Sequence, residues 1–245
     1  MAKRAALVTG GSGGIGLAIA RRLAESGYAV TISGRQEEKL VAAAESLADD
    51  DLKVEGVVAD VTSEQAVIDL IAEHKRQWGR LDVLVNNAGI GIGQMVDDIQ
   101  VKHLDLQVAI NLRALVVATR EATPLLKKAG EEHGKALVVN LASIAGKQYP
   151  ALLSVYAATK AAVISFSGST QKELGASGVC ATAICPGFVD TDMSEFAKEM
   201  VPADKMMTTS DIADAVTFLL SVSPNCAVPE IVMSRPVSGP DTGGM

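Results

Sequence analysis

Cysteine and histidine are scarce in this sequence, and each shortage removes a class of site. The three cysteines, Cys180, Cys185 and Cys226, show no C-x-x-C spacing and are odd in number, which favours free thiols in a reducing compartment over a disulfide framework. The three histidines, His74, His103 and His133, are widely scattered along the chain. Neither residue type offers the clustered ligands of a zinc site, and we therefore predict no metal centre.

Long apolar runs and excess positive charge are also missing. No apolar stretch approaches the roughly 18 residues of a membrane-spanning helix, and the first residues lead into a short strand rather than a signal-peptide core. The net charge of -7, with no basic stripe, argues against nucleic acid or an anionic membrane as a partner, because both would repel the protein. These absences predict a soluble cytoplasmic protein.

Glycine, in contrast, is plentiful near the start of the chain. Residues 9–16 read TGGSGGIG and follow Ala5–Val8, an apolar run typical of a buried strand, while a helical pattern comes after them. A strand, a glycine turn and a helix start form a cradle for a pyrophosphate. Gly10 can turn at positive φ, Gly14 leaves room for a phosphate, and Gly16 lets helix and strand pack closely. A plain structural turn is the alternative for this motif taken alone.

Apolar strand patterns alternate with helical patterns along the whole sequence. Strands are predicted at 5–8, 28–33, 53–59, 81–85, 135–141, 179–184 and 229–233, and helices after the glycine turn and at 37–47, 104–128, 154–174 and 211–220. A further helix after the third strand is expected to begin with a capping box formed by Thr62 and Gln65. This alternation predicts an α/β domain spanning 1–245, with one doubly wound parallel sheet and helices on both faces. Ligands of such sheets bind beyond the carboxyl ends of the strands.

The predicted strand ends carry a set of motifs in a fixed order. They are the glycine turn, Asp60-Val61, Asn86-Asn87-Ala88-Gly89, Ser143, Tyr156-x-x-x-Lys160 and Pro186-Gly187-x-Val189-x-Thr191. In order and spacing, the sequence resembles the short-chain dehydrogenase/reductase family, in its compact single-domain branch, over nearly the whole chain. The resemblance implies a Rossmann-like, seven-stranded sheet.

The spacing of Tyr156 and Lys160 has a chemical meaning of its own. Residues four apart share a helix face, so the ammonium group can favour the tyrosinate and bring the phenol pKa toward working pH. Such a tyrosine can exchange a proton with a carbonyl or alcohol oxygen, and Ser143 would hydrogen-bond the same oxygen. A surface Tyr–Lys pair and a loop-capping serine are the alternatives. The resemblance adds Asn111, whose family counterpart helps to hold a water linking the lysine to solvent; a solvent-facing asparagine is the alternative.

The resemblance also implies which residues bind a dinucleotide. They are Gly10, Ser12, Gly14, Ile15, Gly16, Arg35, Asp60, Val61, Asn87, Ala88, Gly89, Tyr156, Lys160, Pro186, Gly187, Val189 and Thr191. Gly34 stands where NAD enzymes of this kind usually have an acid, and Arg35 beside it can grip a 2′-phosphate, so NADP (NADPH) is favoured over NAD. Many NADP-binding members of the family have a second basic residue within the glycine turn, but this chain has Gly13 at that position. As alternatives to cofactor binding, Asp60 could only stabilise its own turn and Arg35 could be an ordinary surface charge.

The resemblance further implies a substrate lid at about 191–209, bearing several methionines, and a homotetramer or homodimer joined through the helices near 104–128 and 154–174. Small residues on the second helix, Ala157, Ala161 and Ala162, would permit close packing there. The chain lacks the family's usual Val-Asp-Gly-Gly ending, which puts this packing in question.

These observations predict an NADP(H)-dependent oxidoreductase that interconverts a carbonyl and a secondary alcohol on a small or medium, partly apolar substrate. One rival is a 3-oxoacyl reductase for carrier-protein or CoA thioesters, with Lys127, Lys128 and Lys172 as docking charges. A rival of another class is a non-enzymatic dinucleotide sensor, although both Tyr156 and Lys160 are present. The sequence names neither the substrate nor the direction.

Overall fold

A single seven-stranded sheet organises the protein. The computed structural model describes residues 4–48 and 52–236. Its strands are β1 (Ala5–Thr9), β2 (Ala29–Gly34), β3 (Val54–Val58), β4 (Val83–Asn86), β5 (Ala136–Leu141), β6 (Val179–Pro186) and β7 (Glu230–Met233). All neighbouring strands pair in parallel, in the order β3-β2-β1-β4-β5-β6-β7. The predicted doubly wound parallel sheet is confirmed.

The strand order reverses between β1 and β4. The chain first builds outward from β1 to β3 and then returns to place β4 on the other side of β1. Crossover helices therefore leave the two central strands in opposite directions, which opens a crevice at their carboxyl ends. The glycine turn after β1 and the segment after β4 face each other across this crevice.

Eight helices flank the sheet in the described ranges. They are α1 (Gly14–Glu25), α2 (Glu37–Ala48), α3 (Glu64–Trp78), α4 (Val101–Val108), α5 (Ala114–His133), α6 (Ala145–Gln148), α7 (Ser154–Leu174) and α8 (Thr209–Ser221). The single helix expected near 104–128 is longer at both ends and is interrupted by a π-helical turn, Ala109–Arg113, between α4 and α5.

The capping box predicted for α3 is wrong by one residue. Ser63 is the N-cap, and its hydroxyl accepts from the backbone N–H of Ala66 at 3.3 Å. Thr62 is unavailable because its N–H and hydroxyl both donate to Asp60 Oδ1, at 2.9 and 2.8 Å. Gln65 bonds Asp69 one turn ahead instead. The carboxylate of Asp60 closes its own turn and so moves the helix start along the chain.

Both faces of the sheet are buried. Along β1, Ala6 and Val8 belong to the cluster that packs α1, α2 and α8, whereas Leu7 belongs to the cluster on the opposite face with α3 and α5. Alternate residues of a strand point to opposite faces, so an entirely apolar strand of this kind is what a sheet covered on both sides requires.

A buried polar ladder fixes α7 against the centre of the sheet. Asn86 Nδ2 donates to Asn140 Oδ1 at 2.8 Å, and Asn140 Nδ2 donates to the hydroxyl of Ser167 at 2.9 Å. An unpaired amide in the core is costly, so these bonds hold the three elements in one register. Since α7 carries Tyr156 and Lys160, the ladder sets their position relative to β4 and β5.

Candidate active site

The glycine turn connects β1 to α1 at the centre of the crevice. Gly10 and Gly14 have φ of 65° and 52°, a region that L side chains rarely adopt. A Cβ on Gly16 would lie 2.2 Å from the carbonyl oxygen of Gly10, so α1 could not begin so close to the strand with any larger residue. At Gly14 a Cβ would reach the methyl group of Thr191 at 3.3 Å. The turn is therefore a backbone cradle that side chains would distort or fill.

The segment after β4 is joined to this turn by hydrogen bonds. Asn87 Nδ2 donates to the carbonyl oxygens of Thr9 and Gly10, both at 3.0 Å. The Thr9 hydroxyl in turn accepts from the backbone N–H groups of Asn87 and Ala88, at 3.0 and 3.1 Å. Asn87 and Ala88 therefore join the two sides of the crevice.

The end of β2 lies beside the glycine turn. A Cβ on Gly34 would be 3.0 Å from the hydroxyl of Ser12, while Arg35 is exposed. Hydrogen bonds from Thr62 lower the pKa of Asp60, and the charge of Arg35 contributes further. Arg35, Ser12 and Asp60 thus border one edge of the crevice, with Asp60 Oδ1 committed to its own turn.

Ser143 and Tyr156 lie together on the other side of the crevice, where the serine hydroxyl is close enough to lower the pKa of the phenol. The Ser143 hydroxyl also accepts from the N–H of Ala145 at 3.1 Å and donates to the carbonyl of Pro186 at 3.4 Å. These bonds orient the serine, which follows β5, toward the first turn of α7. Both residues therefore lie where one substrate oxygen could contact them together.

Burial raises the pKa of Tyr156, and the Ser143 hydrogen bond only partly offsets this effect. The ammonium of Lys160 lies 5.6 Å from the centre of the tyrosine ring. The expected lowering of the phenol pKa is therefore wrong for the protein alone, because desolvation of the tyrosinate is the largest effect and only the Ser143 hydroxyl opposes it. Tyr156 is held as a protonated phenol at neutral pH.

Lys160 is a buried cation with a backbone partner. It is 4% exposed, and its Nζ donates to the carbonyl oxygen of Leu141 at 2.7 Å. Burial lowers its pKa to about 8, although the neighbouring Cys185 opposes this shift. A Cβ on Gly89 would lie 3.4 Å from both Lys160 Nζ and Asn111 Oδ1, so the two polar groups flank the segment after β4.

Asn111 lies inside the π-helical turn and is 2% exposed, which excludes the solvent-facing alternative. Its side chain accepts from the N–H of Ile90 at 2.8 Å and donates to the carbonyl of Ile90 at 2.9 Å. It also donates to the hydroxyl of Thr159, the residue before Lys160, at 3.1 Å. Asn111 thus connects the loop after β4 to the helix that carries the lysine.

The segment after β6 runs along the crevice. The N–H of Gly187 donates to the carbonyl of Met233 at 2.8 Å, and Val189 forms a bridge with Met207. Thr191 then lies against Gly14, as described above. The segment that contains Pro186, Gly187, Val189 and Thr191 therefore runs from Ser143 to the glycine turn. Val61, after β3, lines a small space together with Thr9 and Ala88, and Ile15 lies in the first turn of α1.

Cys185 and Lys147 also lie near the site. Burial, with Glu230 beside it, raises the pKa of the Cys185 thiol to about 12. The Lys147–Glu230 ion pair, at 2.6 Å, was not foreseen. It joins α6, which follows Ser143, to the last strand. This ion pair is visible only in the folded structure, because neither residue belongs to a sequence motif.

Features outside the crevice give weaker support for a functional site. No group of three or more potential metal ligands occurs within residues 4–48 and 52–236. A cavity of about 570 Å³ lies at the opposite, amino-terminal edge of the sheet and is lined by Arg4, Ser26, Gly27, Arg80, Glu132 and His133. It contains none of the motif residues. Within the same ranges, no helix is long and apolar enough to cross a membrane.

The fold and the site define a doubly wound protein with a serine, tyrosine and lysine at the carboxyl edge of its sheet. The family model of short chain dehydrogenases matches residues 4–202. The chain is also 36% identical over 235 residues to an uncharacterized oxidoreductase of Staphylococcus aureus (strain USA300), covering 96% of this chain and 97% of that protein. The chain therefore belongs to the short-chain dehydrogenase family.

Solved structures agree with this assignment. The actinorhodin polyketide ketoreductase, crystallised with NADPH, has a TM-score of 0.86 and 30% identity, covering 96% of this chain and 97% of that one. A short chain dehydrogenase from Burkholderia cenocepacia J2315, in complex with NADP, has a TM-score of 0.84 and 30% identity, covering 95% and 96%.

Proposed function

We propose that the protein is an NADP(H)-dependent oxidoreductase that interconverts a carbonyl group and a secondary alcohol on a small or medium, partly apolar substrate. The observation that carries this proposal is the meeting of Ser143, Tyr156 and buried Lys160 beside a glycine cradle. Similarity to a ketoreductase that was crystallised with NADPH supports the same chemistry.

Tyr156 is proposed to give its proton to the carbonyl oxygen. Its raised pKa keeps the phenol protonated at neutral pH, the form that a proton donor needs. Ser143, which lies beside the phenol, would donate to the same oxygen as negative charge develops there. A bound nicotinamide would supply or accept the hydride. Reduction is accordingly the direction that the protonated site favours near pH 7.

Lys160 is proposed to stabilise the tyrosinate left after proton transfer. With a pKa of about 8, its ammonium is mostly charged at neutral pH but can exchange a proton at little cost. In the proposed role it also orients the cofactor ribose. Asn111 holds the loop and helix on either side of the lysine and is proposed to place the water through which that proton reaches solvent.

The cradle suits a dinucleotide phosphate, since residues with a Cβ would fill or strain it at Gly10, Gly14 and Gly16. The N–H groups at the start of α1 would face the pyrophosphate. Arg35 and Ser12 would hold the 2′-phosphate of NADP. Asp60, Val61 and the segment 87–89 would line the adenosine, and Val189 and Thr191 the nicotinamide.

The test is NADPH oxidation with a panel of ketones, comparing the unmodified protein with Tyr156→Phe. The variant lacks the transferable proton but keeps the ring, so kcat should fall by about 10²–10⁴. Cofactor Kd, measured by fluorescence titration, should stay within a few-fold. Tyr156→Phe that turns over at the original rate would refute the assignment of the proton donor.

A carrier-linked 3-oxoacyl substrate is the second candidate, and similarity to a polyketide ketoreductase favours it. Lys127, Lys128 and Lys172 would be its docking charges; none of them forms an ion pair among the described residues. Comparing a 3-oxoacyl thioester on a carrier protein with the same acyl group on a short thiol separates the two. A preference for the carrier that disappears when these lysines become glutamines would support this candidate. NADPH binding with no turnover of any ketone or thioester would instead indicate a dinucleotide sensor.

A further inference from the structure

Helix α4 buries an amide while its apolar side chains stay accessible. Of its eight residues only Gln107 is buried, at 1% exposure, whereas Val101, Leu104 and Val108 remain exposed. Withdrawing a glutamine from water is costly unless its amide finds hydrogen-bond partners. The burial of Gln107 therefore directs attention to what its amide binds.

The partners of Gln107 are the two backbone groups of one loop residue. Gln107 Oε1 accepts from the N–H of Ile92 at 3.1 Å, and Nε2 donates to the carbonyl oxygen of Ile92 at 3.5 Å. A neighbouring strand in a parallel sheet would pair with both groups of a residue in the same way. Because this loop lies outside the sheet, the amide supplies the hydrogen bonds that a strand would otherwise give.

Asn111, four residues further on, holds the same loop in the same manner. Its amide pairs with the N–H and the carbonyl oxygen of Ile90, at 2.8 and 2.9 Å. Side chains four residues apart share one face of a helix, so the two amides reach the loop side by side. They leave a single residue, Gly91, between their two points of attachment.

The loop held by these amides runs along the face of α7 that carries the proposed acid and its lysine. A Cβ built on Gly91 would lie 3.6 Å from the ring of Tyr156. Two residues earlier, a Cβ built on Gly89 would lie 3.4 Å from Lys160 Nζ. Movement of this loop would therefore change the surroundings of both side chains.

The far end of the loop is tied to the start of α7. The N–H of Gln94 donates to the carbonyl oxygen of Leu152 at 2.7 Å, and a Cβ on Gly93 would lie 3.8 Å from a methyl group of Leu153. Between this contact and Asn111, the loop is held by Gln107. Loss of its amide would leave the backbone beside the tyrosine ring attached on one side only.

We propose that Gln107 is a positioning residue, whose amide fixes the loop 89–94 against α7 and so keeps the Tyr156 ring in the orientation that delivers its proton. This inference rests on the proposed function, because it concerns the tyrosine assigned there as proton donor. A displacement of about 1 Å near reacting groups can cost up to about a hundredfold in rate, so the effect belongs to kcat. Cofactor binding at the glycine turn should change little.

The test measures kcat for ketone reduction, Kd for NADPH and Tm in three variants. Gln107→Leu removes both amide contacts in a similar volume, so kcat should fall about tenfold while Kd stays within about threefold. Gln107→Ser leaves room for a water to pair with Ile92, so it should fold even if the leucine variant does not, and it should lose kcat to the same extent.

Gln107→Glu is the conservative variant and is compared with the unmodified protein at pH 6. Burial favours the neutral form of a carboxyl, and a neutral carboxyl can accept from the N–H of Ile92 and donate to its carbonyl oxygen. This variant should therefore keep kcat within about threefold of the unmodified value.

Gln171→Leu is the matched control. Gln171 also lies on a helix and uses its amide oxygen to accept from a backbone N–H, that of Ala181 at 2.8 Å. It lies near the end of α7, about four helical turns from Tyr156. Its replacement should lower Tm, as Gln107→Leu does, and leave kcat unchanged.

Three results would overturn the positioning role. They are an unchanged kcat in Gln107→Leu and Gln107→Ser, an equal loss of kcat in Gln171→Leu, and a kcat of Gln107→Glu at pH 6 as low as that of the serine variant. In each of these cases the unmodified protein still reduces ketones, so the proposed function stands. Absence of turnover with every ketone tried would overturn both proposals together.

Discussion

The buried ammonium of Lys160 should make the stability of the protein depend on pH in a particular direction. Its folded pKa, about 8, is below the ordinary lysine value of 10.5, so the unfolded chain binds the extra proton between these values. Stability rises with pH wherever the unfolded state binds more protons. The charged lysine therefore destabilises the fold below pH 8, and this cost is relieved as pH increases.

Lys160→Met isolates this effect. Between pH 8 and pH 10, the free energy of unfolding of the unmodified protein should rise by roughly 2 kcal/mol relative to the variant. Urea unfolding at several pH values measures it, and the comparison cancels other groups that titrate in both proteins. Parallel curves for the two proteins would show that the ammonium is not desolvated. The variant should also lose both kcat and cofactor affinity if the lysine serves tyrosine and ribose.

Cofactor preference is a second property decided by single residues. Arg35 is proposed to bind a 2′-phosphate at an exposed position, a contact worth roughly 1.5–3 kcal/mol. Arg35→Gln should therefore reduce the ratio of NADPH to NADH affinity by about ten- to hundredfold, with the effect weakening as salt increases. Introducing an acid at Gly34 is a less direct test, since its Cβ would press on Ser12 at 3.0 Å.

A substitution at Gly13 tests the same cofactor preference by adding a cation instead of removing one. Nothing lies within 4 Å of a Cβ built there, and its φ of 176° is extended backbone that any residue adopts. Gly13→Arg should therefore fold normally and increase the NADPH preference by adding a second cation. A protein that binds NADH more tightly at every salt concentration would return Arg35 to an ordinary surface charge.

At the scale of elements, α6, which follows Ser143, packs against α7 at Lys160. Gly146 is the contact point, since a Cβ there would lie 2.7 Å from the backbone of Lys160 and Ala161. Gly146→Ala should push α6 from α7, lower Tm and reduce kcat more than it raises the KM for cofactor. Gly168→Ala is the matched control on α7, where nothing lies within 4 Å, and it should stabilise the helix by about 0.5–1 kcal/mol.

Differential scanning calorimetry measures the Tm of both variants, and steady-state kinetics measures their kcat and KM. The prediction fails if Gly146→Ala retains the Tm and kcat of the unmodified protein, because α6 would then have room to move. A fall in Tm without a change in kcat would show that the contact supports the fold alone.

The sequence predicted elements better than it predicted their junctions. Most strands were identifiable because an apolar run precedes a motif, as with β1 and the glycine turn. Two features depend on contacts between distant elements and left no local pattern: the π-helical turn around Asn111 and the Leu141 carbonyl that holds Lys160. The direction of the Tyr156 pKa shift was predicted wrongly for the same reason, since helical spacing indicates a nearby cation but not the burial that disfavours the tyrosinate.

For the whole molecule, the remaining question is what covers the exposed side of α4. Val101, Leu104 and Val108 are 68%, 36% and 37% exposed and share one face by their spacing. An apolar stripe of this kind is costly to leave in water and is typical of an interface. We therefore still predict a homodimer or homotetramer that uses the helices near 104–128 and 154–174.

One part of that expectation needs correction. Ala157 is 4% exposed within a single chain, so it cannot pack against a neighbouring subunit, whereas Ala161 and Ala162 are partly accessible. Of the three alanines, only Ala161 and Ala162 can therefore contribute to a contact through α7. In the carboxyl-terminal segment whose unusual ending bears on tetramer packing, residues 237–245 lie outside the described residues.

Light scattering coupled to size exclusion tests the assembly directly. The unmodified protein should elute as a dimer or tetramer at micromolar concentration, and Val101→Glu combined with Leu104→Glu should shift it toward the monomer, because two carboxylates would be buried without partners. Val41→Glu, at a 47% exposed position on α2, is the matched control and should leave the mass unchanged. Since Val101 and Leu104 are already exposed in the single chain, the double variant should keep its secondary structure by circular dichroism. An unmodified protein that is monomeric at this concentration would refute the prediction, and a double variant that keeps the full oligomeric mass would move the interface away from α4.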